Sequence, residues 1–197
     1  MNFWTIKFNP TSLIDVFVMP SIGFGIEKKV KRISIEVDFG KEYWRIKNSD
    51  SLPIKTNGIK GSLQVKYFFE VEKQKIYVAA QPFHRKKKYS TEVTCFSIQD
   101  SSYQHPIKDA FTVNNYCWGI NFILGSELHF KKLIIEPFAG LGFLKRTVKN
   151  TELNFDIQNE TFKPIKDYPF PTKQDFYFSS SAWGNVTFGL KLGYIIH

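Results

Sequence analysis

Apolar and polar residues alternate one by one along most of this chain, and this period of two constrains the fold more than any other feature. In the segment 186–196 every even-numbered residue is apolar, and the odd-numbered positions include Gly189, Lys191 and Gly193. Side chains of a strand point alternately to its two faces, whereas an amphipathic helix requires a period of about 3.6 residues. The sequence therefore predicts an all-β protein.

The alternating segments and the turn residues between them predict eight strands. Their approximate bounds are 3–13, 16–28, 31–46, 58–72, 74–86, 113–130, 132–149 and 183–196. No apolar run is long enough for a transmembrane helix. The 197 residues have the length of one domain, and we expect residues 1–197 to form a single β-barrel domain.

The connections between the predicted strands fall into two classes of length. Short basic turns follow the second, fourth and sixth strands, and longer irregular segments, 47–57, 87–112 and 150–182, follow the third, fifth and seventh. Short turns at one rim and long loops at the other are typical of outer-membrane barrels. We therefore predict an eight-stranded antiparallel up-and-down transmembrane β-barrel with short periplasmic turns and long extracellular loops.

Alternation alone leaves the orientation of the apolar face open. An apolar face turned outward would contact lipid, whereas an apolar face turned inward would make a soluble lipocalin-like carrier of an apolar ligand. The position of the glycines, the charges and the aromatic residues favours the outward orientation.

The polar face of the predicted strands carries acidic and basic residues together with most of the twelve glycines. A narrow barrel interior needs small residues opposite long ones, and it tolerates charges when they are paired. We predict a charge network in the barrel lumen formed by Lys7, Glu36, Asp38, Lys60, Lys66, Glu127, Glu136 and Lys191. Eight strands leave only enough room for side chains, so these residues should close the lumen rather than line a pore.

Aromatic residues concentrate near the ends of the predicted strands. Amphipathic rings favour the two lipid–water interfaces of a membrane. The sequence therefore predicts an aromatic girdle formed by Trp4, Trp44, Trp118, Phe130 and Tyr194.

Three segments, 6–13 (IKFNPTSL), 21–29 (SIGFGIEKK) and 186–194 (VTFGLKLGY), resemble the small eight-stranded outer-membrane β-barrel proteins of Bacteroidetes, a family largely without assigned function. The resemblance implies the outer membrane of a Gram-negative bacterium, and it says almost nothing about activity. Residues 1–26 contain no apolar stretch of signal-peptide type, so we expect the sequence to be a mature form.

The formal net charge of +9 raises the question of an anionic partner. The basic residues are scattered and no nucleic-acid-binding motif is present, so we expect no nucleic-acid partner. The run Arg85, Lys86, Lys87 and Lys88 lies at the predicted outer rim, where it would contact outer-leaflet lipid, including phosphorylated lipopolysaccharide. A solvated charged extension of the strand is the alternative.

The two cysteines, Cys95 and Cys117, flank the connection between the fifth and sixth predicted strands. An antiparallel continuation of that hairpin would bring them together in an oxidising compartment, and a disulfide is the sharper of two hypotheses. The other is a pair of small apolar residues. The cysteines and histidines lack the spacing of a metal site, and we predict neither metal nor cofactor.

These observations favour a non-enzymatic outer-membrane protein, either a structural scaffold or an accessory subunit of a larger outer-membrane complex. Loops 87–112 and 150–182 would recognise protein partners, because loops on a rigid barrel usually carry specificity. A lipid A-modifying enzyme is a further alternative, but Ser126 and His129 are three residues apart and would point to opposite faces of a strand.

Overall fold

The computed structural model describes residues 2–10, 21–46, 54–71, 74–97, 107–151, 160–162 and 179–196. The strands in these residues are β1 Asn2–Phe8, β2 Ser21–Val30, β3 Ile33–Ile46, β4 Ile54–Val71, β5 Gln74–Ser97, β6 Ile107–Phe130, β7 Leu133–Thr151, β8 Glu160–Phe162 and β9 Ser179–Ile195. Within this part of the chain, no helix combines the length and the apolarity needed to cross a membrane.

Eight long strands form a closed antiparallel ring. From β1 to β7 each strand pairs with the next one along the chain, and β9 pairs with both β7 and β1. The short strand β8 lies outside the ring and pairs with the end of β5 through Cys95↔Phe162 and its two neighbouring pairs. The prediction of an all-β chain with eight antiparallel strands is confirmed.

Two tight turns join strands at one rim of the ring, which we call the turn rim. Lys31 and Arg32 connect β2 to β3, and Lys131 and Lys132 connect β6 to β7. The first residue of each turn has a positive φ, 54° at Lys31 and 57° at Lys131. A positive φ at this position suits two-residue hairpins, because it matches the right-handed twist of the flanking strands.

The predicted long loops are wrong in part, because pairing continues well into them. β5 extends to Ser97 and β6 begins at Ile107, so most of segment 87–112 is strand. Segment 150–182 likewise contains the end of β7, all of β8 and the start of β9. The basic run after residue 84 interrupts the apolar alternation, but backbone hydrogen bonds between strands do not require an apolar face.

The apolar face of the ring points outward, as predicted. We call the exposed apolar side chains around the middle of the ring the apolar belt: Ile6, Phe24, Ile26, Ile35, Val37, Phe39, Ile59, Leu63, Val65, Tyr67, Val78, Ile120, Phe122, Leu124, Leu141, Phe143, Val186 and Phe188. Phe39, Phe143 and Phe188 each expose about 70 % of their surface. The belt therefore covers the outside of the ring rather than forming its core.

Several glycines face the interior where the ring is crowded. A Cβ on Gly142 would lie within 2.9 Å of the Asn121 Cα and closer still to the carbonyl oxygen of Ile120. A Cβ on Gly125 would meet the ring of Tyr77. These glycines make room for the long polar side chains that fill the interior, which is the role expected of small residues in a narrow barrel.

We expect Gly142→Val to lower the free energy of unfolding by about 1–3 kcal/mol, because overpacking forces the neighbouring strand and Asn121 to shift. The matched control is Gly184→Val, because a Cβ on Gly184 meets nothing within 4 Å. Urea titration of both purified variants measures the difference. Equal losses of stability would contradict a crowded interior at Gly142.

Candidate functional site

Two carboxylates at the centre of the ring each contact several buried ammonium groups. Lys66 Nζ lies 2.5 Å from Glu36 and 2.7 Å from Glu136. Lys7 Nζ lies 3.1 Å from Glu36 and forms a close ion pair with Glu136. Because Lys7, Glu36, Lys66 and Glu136 come from four different strands, these ion pairs bind the ring together from inside.

Glu27 and Tyr77 complete this central group. Glu27 forms ion pairs with Lys7 at 2.7 Å and with Lys66 at 3.2 Å. Ser34 donates a hydrogen bond to Glu27, and the Tyr77 hydroxyl donates one to Glu136 at 2.6 Å. The side chains of all these residues are almost completely buried.

Lys191 forms a second layer, farther from the turn rim. It pairs with Glu36, lies 3.3 Å from Asp38, and donates a hydrogen bond to the Gln64 side chain at 3.0 Å. Lys191 is on β9 and Gln64 is on β4, which occupy opposite positions in the ring of eight. This hydrogen bond therefore crosses the full width of the interior.

A third layer lies near the turn rim. Lys29 Nζ lies 2.7 Å from Glu127, and the His129 ring lies 3.0 Å from the same carboxylate. Lys29 also sits over the ring of Phe68, 3.1 Å from its centroid. Because β2 and β6 are on opposite sides of the ring, the pair Lys29–Glu127 also crosses the interior.

Neutral side chains form a fourth layer, beyond Lys191. Ser62 donates to Asp38 at 3.2 Å and accepts from Gln81 at 3.3 Å. Asn121 donates to Gln81 at 3.2 Å, and Asn185 donates to Asn121 at 2.6 Å. The hydrogen-bonded chain links β3, β4, β5, β6 and β9.

Charge compensation is the main electrostatic property of the interior. In these layers the ammonium groups of Lys7, Lys29, Lys66 and Lys191 face the carboxylates of Glu27, Glu36, Asp38, Glu127 and Glu136. Unpaired buried charges cost several kcal/mol each, whereas paired and hydrogen-bonded charges are tolerated. The arrangement can therefore hold the ring closed and exclude solvent.

Three of the carboxylates lie close enough together to be considered as a metal site. Oxygens of Glu27, Glu127 and Glu136 lie within 4.8 Å of one another. Lys7, Lys29 and Lys66 already contact these carboxylates. Since the ammonium groups supply the positive charge that a cation would bring, the cluster is balanced by the chain's own residues.

Seven of the eight residues predicted for the lumen take part in this network: Lys7, Glu36, Asp38, Lys66, Glu127, Glu136 and Lys191. Lys60 lies on the same face of β4 and is half-buried. The sequence prediction omits Lys29 from the interior, because the second predicted strand ends at residue 28 and a short basic turn follows it. Continuing the alternation of β2 to Val30 places Lys29 on the same inward face as Glu27.

The predicted girdle residues are divided between the two ends of the apolar belt. Trp4, Phe130 and Tyr194 are exposed near the turn rim, and Trp118 is exposed on the other side of the belt. Trp4 also lies under the ammonium of Lys28, 5.1 Å from the ring centroid. The side chain of the fifth predicted girdle residue, Trp44, is not among those that the structure describes.

The predicted set of lipid-contacting basic residues requires a correction. Lys86 and Lys88 point outward and are exposed, but Arg85 and Lys87 belong to the inward-facing positions of β5 and are half-buried. The four residues form a strand and not a loop, so successive side chains point to opposite faces. Only half of the run can face a lipid surface.

The predicted disulfide is also wrong. Cys95 lies opposite Ile107, whereas Cys117 lies opposite Arg85, ten positions farther along the same ladder. At about 3.3 Å per residue this separation is far beyond the reach of a disulfide. In the described part of the chain, Cys117 is a buried thiol that forms no disulfide.

Neither a protein-family model nor a curated protein matches this sequence. The class of this protein is therefore inferred from the geometry of its strands and side chains. The described residues define a closed antiparallel β-ring, apolar outside and charged inside.

We expect Glu36→Gln to lower the free energy of unfolding by about 3 kcal/mol or more, because it removes the negative charge shared by Lys7, Lys66 and Lys191. The matched control is Glu70→Gln, which alters an exposed carboxyl group and should change stability by less than about 0.5 kcal/mol. Urea titration monitored by circular dichroism measures both. Similar values for the two variants would show that the interior charges are not coupled.

Proposed function

We propose that this protein is an integral β-barrel of a Gram-negative outer membrane, with a sealed interior and a structural, non-catalytic role. The apolar belt is the observation that carries the proposal. Soluble monomers rarely expose contiguous apolar patches larger than a few hundred Å². A belt of Phe, Leu, Ile and Val on every strand of the ring is suited to acyl chains.

The interior supports the same orientation. A carrier of an apolar ligand needs apolar side chains around a cavity, but the interior holds Lys7, Glu36, Gln64, Lys66 and Glu136, each almost fully buried. A lipocalin-like carrier would need the opposite orientation, with the apolar face of the strands turned inward. Transmembrane barrels, in contrast, combine an apolar exterior with a polar interior.

The cross-ring bonds support a closed barrel. Lys29–Glu127 and Lys191–Gln64 each join strands on opposite sides of the ring, at two different levels. An eight-stranded ring leaves room only for its own side chains. Ion pairs and hydrogen bonds therefore occupy the space through which a solute would pass.

The extended β5–β6 hairpin supports a recognition role at the end opposite the turn rim. β5 and β6 continue to pair with each other as far as Cys95↔Ile107, beyond the last described pairs with their other ring neighbours, Thr56↔Tyr89 and Thr112↔Thr151. β8 adds a third strand to this projection. A projecting sheet on a rigid ring is suited to contact other outer-membrane proteins, as a scaffold or accessory subunit would.

We expect Phe122→Arg to lower the free energy of unfolding in phospholipid vesicles by about 2–4 kcal/mol, because a charge in the middle of a lipid-facing surface is expensive. The same substitution at the turn rim, Phe130→Arg on the outward face of the same strand, should cost at most about 1 kcal/mol. Urea titration in vesicles measures both. A wild-type chain that stays in the aqueous phase without detergent would contradict the membrane proposal.

Purified protein reconstituted in a planar bilayer should show no steady ohmic openings, because side chains bonded across the ring close its interior. A sixteen-stranded porin reconstituted in the same way is the positive control. Sustained openings of constant conductance from the wild-type chain would show that the interior bonds do not seal the barrel.

A further inference from the structure

A group of basic side chains lies on the outward face of the ring, at the edge of the apolar belt on the side away from the turn rim, where Lys86 pairs with the belt residue Ile59. We call His84, Lys86, Lys88, Lys145 and Lys149 the basic patch. His84, Lys86 and Lys88 are alternate residues of β5, and the two other lysines are on β7. All five side chains are exposed.

Strand register brings these residues together across β6. Lys88 and Lys149 both pair with Asn114, and His84 and Lys145 both pair with Trp118. Lys88 and Lys149 are thus two strands apart, as are His84 and Lys145, and each pair is separated by about 10 Å between Cα atoms. Between these two pairs, Lys86 lies beside Tyr116, with its ammonium 5.6 Å from the ring centroid.

Like charges about 10 Å apart across β6, and two residues apart along β5, repel each other, and an anion from outside relieves the repulsion. Among the outward side chains described on β4 to β7 at this level, none is acidic. The interior charges, in contrast, are balanced by acids of the chain itself. The basic patch is therefore complementary to a negatively charged partner.

The location of the patch indicates what kind of anion it meets. One row toward the turn rim, the outward face consists of Pro82, Ile120 and Phe143, which belong to the belt or border it. Trp118 lies at the boundary and exposes 57 % of its surface. Aromatic rings followed by lysines at the edge of an apolar surface are typical of a lipid–water interface.

We propose that the basic patch binds the phosphate groups of anionic membrane lipids in the leaflet on this side of the belt. The inference rests on the proposed membrane location. Lysine ammonium groups attract phosphates at a bilayer surface, and the rings beneath them pack against the upper part of the acyl chains. The patch thus holds the headgroup while the belt contacts the tails of the same lipid.

The test is native mass spectrometry of the detergent-solubilised full chain with phosphatidic acid or phosphatidylcholine of identical acyl chains. Wild type should retain phosphatidic acid at least about tenfold more strongly, given the contribution of each lysine near a surface. Replacing Lys86, Lys88, Lys145 and Lys149 with Gln should abolish the preference. Replacing the same four with Arg should preserve it.

The matched control changes exposed basic residues at the opposite rim: Lys28→Gln, Lys31→Asn, Arg32→Gln and Lys132→Gln. This variant should keep the preference, and equal loss in both charge-removal variants would overturn the inference. Displacement of phosphatidic acid by an equal concentration of inorganic phosphate would overturn it as well. Tighter binding of a single-stranded oligonucleotide than of phosphatidic acid would also overturn the inference.

The lipid inference and the membrane proposal fail in different ways. Wild type that inserts into phosphatidylcholine vesicles without preferring phosphatidic acid contradicts the lipid inference alone. Wild type that inserts into no vesicle contradicts the membrane proposal. Thermal unfolding of every variant in detergent verifies that a lost preference does not result from misfolding.

Discussion

Compensation of charge inside a narrow ring is the constraint on which the rest of this structure depends. Glu36 and Glu136 are completely buried, and each contacts at least two ammonium groups that are buried as well. Unpaired, either carboxylate would strongly disfavour the closed ring. Because the interior is polar and full, the apolar residues of the same strands have only the outside left to occupy.

This arrangement inverts the usual relation between core and surface. Four of the described apolar residues that are buried, Phe68, Tyr77, Ala79 and Ile123, form a small cluster beside the charged layers, and most large apolar side chains lie outside. Hydrogen bonds and ion pairs hold the interior, and the exposed apolar exterior is the basis of the proposed membrane location.

The alternation of residues predicted the strands of the ring and the inward direction of most of the interior charges, because side-chain direction in a strand follows from position alone. It did not predict which charges meet. Lys29 and Glu127 are separated by 98 residues, and their contact depends on strand register and ring closure. The same logic explains the error at residues 85–88, where a run of like residues was treated as one surface although a strand divides it between two faces.

The first and last long strands of the ring both contribute an ammonium group to one carboxylate. Lys7 of β1 and Lys191 of β9 contact Glu36 of β3, and β1 and β9 are the two strands whose pairing joins the chain ends. A chain that has formed its early strands but lacks its final one leaves this carboxylate undercompensated. The closing strand therefore supplies both the last set of backbone hydrogen bonds and one of the three ammonium groups that compensate Glu36, so closure of the ring and compensation of its central charge are completed by the same strand.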